Sequence, residues 1–141
     1  MKRVIVIILG CCVGMVLAGC EKPVNKDIIG CWTNPAYADN FEGKVFIYYK
    51  RSNTLRSDSE GIRFLNDGRL IERKVGRFCG SPPPTVIPIV DYSGKWCTQN
   101  DNIIIDISYG SGTEHRVWKI IKVSKTSLEI EVVSQETYNK Y

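Results

Sequence analysis

The chain has 141 residues, with 19 Lys and Arg against 15 Asp and Glu and a formal net charge of +4. That length is one domain's worth. The charges are interspersed with no basic block, which argues against nucleic acid as a partner, and abundant aromatic and β-branched residues argue against extended disorder.

Met1-Lys2-Arg3 is a short basic start, and fifteen residues from Val4 to Ala18 carry no charge. This is the layout of a secretory signal, and it falls short of the roughly 20 residues of a membrane span. Its end, Leu17-Ala18-Gly19-Cys20, resembles a bacterial lipobox. The resemblance implies that residues 1–19 are removed and that Cys20 becomes a lipidated first residue. An ordinary signal peptide or an uncleaved anchor helix is the competing reading. The agreement in position of basic start, apolar run and tetrapeptide weighs against it. Two or three acyl chains hold a protein on a membrane essentially permanently, at about 0.8 kcal/mol per buried methylene. The residue after Cys20 is Glu21. An aspartate there would resemble an inner-membrane retention signal in enterobacteria, so the expected location is the cell envelope, with the outer membrane favoured.

Removing residues 1–19 from the 141 leaves 122, with a charge of +2 once Lys2 and Arg3 are gone. Cys31, Cys79 and Cys97 then remain besides Cys20, in a compartment that permits a disulfide. Three pairings are open. Cys79 with Cys97 would close a loop of about twenty residues, worth about 3 kcal/mol in the loop-entropy picture. Cys31 with Cys97 joins two cysteines that each adjoin a tryptophan. Three reduced, buried thiols are the bland alternative. One disulfide involving Cys97 is expected.

Residues 20–27 are polar and proline-bearing, as a tether from lipid to domain should be. From Ile28 onward no apolar stripe has the 3.6-residue period of a helix; short runs rich in Val, Ile, Tyr and Phe recur between turn-forming residues instead. The first, 28–33, is expected to end at Asn34-Pro35, and 44–50 forms the next. Arg51 to Glu60 is polar and turn-like. A hairpin follows, Gly61 to Leu65 against Arg69 to Lys74, with Asp67-Gly68 supplying the turn. Cys79-Gly80-Ser81-Pro82-Pro83-Pro84 reads as an extended connector, because prolines cannot donate to a ladder. Residues 93–98 then pair with 103–109, where Ile103, Ile105, Ile107 and Tyr109 share one face. The last two runs are Glu114 to Val123 and Leu128 to Val133. In the final one Leu128, Ile130 and Val132 face inward. Residues 135–141 read as a polar tail. About eight antiparallel strands in an up-and-down meander do best by closing into a barrel, which removes the edges.

Gly30-Cys31-Trp32 resembles the Gly-x-Trp of lipocalin-like domains, and Phe64-Leu65-Asn66-Asp67-Gly68 resembles their central hairpin. Tyr92 to Trp96, Asn102 to Ile105 and Leu128 to Ile130 resemble their closing strands. The Cys79-Gly80-Ser81-Pro82-Pro83 connector is similar to an element of some small bacterial lipocalin-like lipoproteins. The likeness covers about 28–134. It implies a β-barrel over that span with a tryptophan plugging one end. Trp32, Phe64, Trp96, Ile105, Tyr109 and Trp118 are the candidates to line a pocket or plug the barrel. An eight-stranded barrel of this size can equally be filled by its own side chains.

Motifs for chemistry are weak. Ser111 lies in Gly-Ser-Gly, a hairpin turn rather than a nucleophile elbow. His115, the one histidine, shares a strand register with Val117, Ile121 and Val123 and reads as a partly buried structural residue. No zinc set or phosphate loop can be assembled, and no cofactor is expected. Asp106, Glu114, Glu129 and Glu131 are expected on solvent faces. The sequence therefore points to a non-enzymatic, lipid-anchored barrel that binds a small apolar ligand or serves an envelope role. The alternative is a protein-binding module, such as an inhibitor of a host or envelope enzyme.

Overall fold

A computed structural model describes residues 25–76, 86 and 88–139. Eight antiparallel strands close into a barrel: β1 (Gly30–Asp39), β2 (Val45–Ser52), β3 (Gly61–Phe64), β4 (Arg69–Val75), β5 (Ile89–Gln99), β6 (Asn102–Tyr109), β7 (Gly112–Val123) and β8 (Ser127–Asn139). Neighbours follow chain order from β3 round to β8. The order breaks once, because the β1–β2 hairpin is inserted with β2 against β8 and β1 against β3. The departure from a simple meander lies in residues 53–60. A tight hairpin needs two to five residues, and this longer polar link instead crosses the end of β1. Arg73 fixes the crossover, donating to the Leu55 and Arg56 carbonyls at 2.9 and 3.0 Å while both Asp91 carboxylate oxygens accept from it at 2.7 Å. Those bonds from Arg73 hold the Asp91 carboxyl below its usual pKa.

Two boundaries differ most from expectation. Asn34-Pro35 does not end β1. Asn34 takes a left-handed φ of 53° at an irregularity between Thr33 and Ala36, and the strand continues to Asp39. A bulge is where a strand tolerates proline. Residues 135–139 are likewise not a tail but the end of β8, laddered to Gly112–Arg116. Thr137 and Tyr138 favour strands, and a solvated ribbon needs no apolar face.

The expected inward face of β6 holds: Ile103, Ile105 and Ile107 are fully buried, together with Leu128 and Ile130 of β8. One end of the barrel is plugged. There the Trp32 indole N–H donates to the Ile28 carbonyl at 2.7 Å, and that of Trp96 to the Leu65 carbonyl at 2.9 Å. Trp96 also packs edge-on against Phe64 with ring centroids 4.9 Å apart. Arg51 closes the plug from outside, donating to the Asp27 and Ile29 carbonyls with its guanidinium 4.6 Å from the Trp32 ring. Gly30, at φ 134°, is where a Cβ would meet that guanidinium at 2.9 Å. Gly68, at φ 85°, supplies the left-handed residue of the β3–β4 turn.

Candidate functional site: a salt-bridged lumen

The inner face of β7 is not the His115–Val117 register. Side chains of directly paired residues lie on one face, and Trp118 pairs with the buried Ile103, Arg116 with Ile105 and Glu114 with Ile107. Glu114 is therefore buried, at 1% exposure, and not on a solvent face as expected. His115 points outward, where its Nδ1 lies 2.7 Å from Asp106. Asp106 is exposed, whereas Glu129 and Glu131 are half-buried on the outer face.

Arg116 is the centre of the lumen. Its Nε bonds Glu114 at 2.5 Å, Nη1 and Nη2 reach the two Glu72 oxygens at 2.7 and 3.1 Å, and Nη2 donates to the Tyr109 hydroxyl at 2.6 Å. The Tyr109 hydroxyl in turn donates to Glu72 at 2.8 Å. β7 and β4 are three strands apart in the wall, so the Arg116–Glu72 bridge spans the barrel interior. Burial opposes the Arg116 charge, yet the bonds and charge of Glu72, with Tyr109 and Glu114, outweigh it and hold the pKa above the ordinary arginine value. Burial also raises the Tyr109 pKa, helped by the neighbouring Glu72, so the phenol stays protonated as a donor. Tyr49 is raised well above its usual value by burial first and the nearby Tyr37 and Glu72 second. This is a buried, charge-assisted network, which specifies the geometry of the lumen.

Of the six pocket or plug candidates, Trp32, Phe64 and Trp96 gather at the plugged end, and Ile105 and Trp118 are buried in the core. Trp118 lies 5.7 Å from the Arg116 guanidinium and 6.1 Å from the Tyr49 ring. Tyr109 stands apart from these five, half-buried against Tyr92 at 4.6 Å and bonded into the polar network. Above the network, a cleft among Pro35, Tyr37, Tyr49, Glu60 and Glu72 measures about 10 Å³, room for one water.

Cys97 is disulfide-bonded and Cys31 is a buried free thiol, whereas Cys79 and Cys20 lie outside the described residues. Among the described residues no group of three or more His, Cys, Asp or Glu is placed to hold a metal ion. Glu72 and Arg116 are not among the residues that the sequence pattern singles out. Their signal was opposite charge at Glu114 and Arg116 on the same strand face as Trp118, and Glu72 in phase with Leu70.

Fold and lumen together define a small, closed, antiparallel β-barrel with a tryptophan-plugged end and an ion-bridged interior. Comparison with protein-family models, curated proteins and solved structures found no match.

Proposed function

We propose that this chain is a bacterial cell-envelope lipoprotein, anchored through lipid on Cys20, whose lipocalin-like barrel works as a protein-binding module. The observation that carries the choice of module over small-ligand carrier is the Arg116–Glu72 bridge across the lumen. A carrier for an apolar ligand would have to break a buried ion pair to fill that space, at a cost of several kcal/mol. Exposed apolar side chains, by contrast, collect around the end opposite the plug: Phe41 at the β1–β2 tip, Tyr37, Val75, Val133 and Tyr138. Such a rim suits a partner surface. Residues 25–27, the described end of the tether, lie at the plugged end, where Arg51 donates to the Asp27 carbonyl, which supports a rim turned away from the anchoring bilayer.

Two measurements test this. Native mass spectrometry of the mature protein drawn from its host envelope is expected to show a protein complex. A retained small apolar molecule would overturn the module reading. Cys20→Ser is expected to abolish the lipid mass and release the protein from membranes. Continued partition of that variant with membranes would sink the anchor.

A further inference from the structure

The β8 edge is used over only part of its length. β2 pairs with it from Ser127 to Val132, whereas β7 stays laddered to it as far as Asn139. Among the described residues, the seven from Val133 to Asn139 therefore have no strand on the β2 side. They lie at the end opposite the tryptophan plug, and all but Ser134 are exposed. A run of unpaired backbone N–H and C=O groups is a template for another strand.

We infer that this edge accepts an extended segment of a partner protein, antiparallel to β8 and continuing the line of β2, with a basic residue within reach of Glu136 as Lys44 is of Glu131. The inference rests on the protein-binding reading above and names its mode, β-strand addition. Two observations select the occupant. The outer-face pairs that β2 already makes with β8 set Phe46 against Glu131 and Tyr48 against Glu129, while Lys44 lies 3.6 Å from Glu131. The free stretch repeats the pattern. Glu136, whose carboxylate accepts from Tyr138, is its one charge, and the stretch contains no Lys or Arg. A second copy is a poor occupant. Full-length antiparallel self-pairing of residues 133–139 centres on Glu136 and sets it directly against its own counterpart, and like charges directly opposite destabilise a ladder. Exposed Val133 and Tyr138 give the incoming strand apolar contact at both ends of the edge.

The test is photo-crosslinking in the intact lipid-anchored protein within its envelope. p-Benzoylphenylalanine replaces Tyr138 on the free edge and, in a control, Tyr48 on the paired part of β2. Expected is an adduct with a different protein from position 138 and none from position 48, its yield falling about tenfold with Glu136→Lys. The Glu136 side chain is exposed and bonded only to Tyr138 among the described residues, so the charge reversal leaves the barrel folded. No adduct from 138, an adduct with lipid or with a second copy, or an adduct indifferent to Glu136→Lys overturns the inference. A protein adduct from 48 alone overturns the edge while leaving the protein-binding reading standing. Failure of that broader reading shows separately, as a retained small molecule in native mass spectrometry.

Discussion

Arg116→Met is expected to destabilise the barrel by about 3–5 kcal/mol, because it strands Glu72 beside an apolar core with its main counter-ion gone. Against a total stability of about 5–15 kcal/mol, that is a large fraction, read as a fall in melting temperature of roughly 10–20 °C. The physical cause separates from simple loss of packing in a second variant. Arg116→Met combined with Glu72→Leu and Glu114→Leu removes charge and counter-charge together. It is expected to recover most of the loss, since replacing a whole buried ionic group by apolar residues is often neutral. Urea unfolding of both variants decides. A single-variant cost below about 1 kcal/mol would mean that Arg116 is solvated, as exposed ion pairs are. Equal losses in the two variants would assign the effect to shape and not to charge.

The all-β architecture was legible because it rests on local signals: β-rich runs, Asp67-Gly68 at a turn, and the Ile103–Ile105–Ile107 alternation. These act over a few residues and need no knowledge of neighbours. Strand order was not legible in the same way. Arg51 to Glu60 read as polar and turn-like, although Arg51 and Ser52 end β2, and which strand lies beyond the link depends on the closure of the whole sheet. β7 was ambiguous for a different reason. From Glu114 to Ile121 both alternations carry apolar residues, Trp118 and Ile120 on one and Val117 and Ile121 on the other. Hydrophobicity favours Val117 beside His115 over Arg116 beside Glu114. The fold chooses otherwise, because Arg116 meets Glu72 and Tyr109 across the lumen, partners 44 and 7 residues away in sequence. A charge buried with its counter-charge is invisible to a pattern that scores each residue alone. The β8 bulge is similarly silent. Between Val117 and Trp118 the register shifts by one on β8, so Ser134 pairs with Val117 while Val132 pairs with Trp118. That shift puts Gln135 and Thr137 opposite Arg116 and Glu114, on the inner side. Alternation counted forward from Leu128 reverses there, and the segment looks like a tail.

Trp32→Ala is expected to cost about 3–5 kcal/mol, the range for truncating a large buried aromatic. Trp32 is fully buried at the plugged end, so the cavity cannot be filled by side chains from solvent. Three further losses accompany it: the Ile28 carbonyl loses its indole donor, Ile28 itself loses its cover, and Arg51 loses the ring beneath its guanidinium. Trp32→Phe keeps most of the volume and is expected to cost less, about 1–2 kcal/mol, chiefly the hydrogen bond. Amide exchange then locates the damage. Residues 28–30 and 51–52, which Trp32 and Arg51 tie together, should exchange faster in Trp32→Phe, while β7 amides near Glu114, laddered on both sides, stay protected. The two ends of the barrel are built from different materials, an indole plug with two carbonyl acceptors at one and an ion-bridged lumen with a free strand edge at the other. If they are also separate in role, Trp32→Phe lowers stability without altering crosslinking from position 138, and Glu136→Lys lowers crosslinking without altering stability. A loss of crosslinking in Trp32→Phe at temperatures where the barrel remains folded would show the two ends to be coupled.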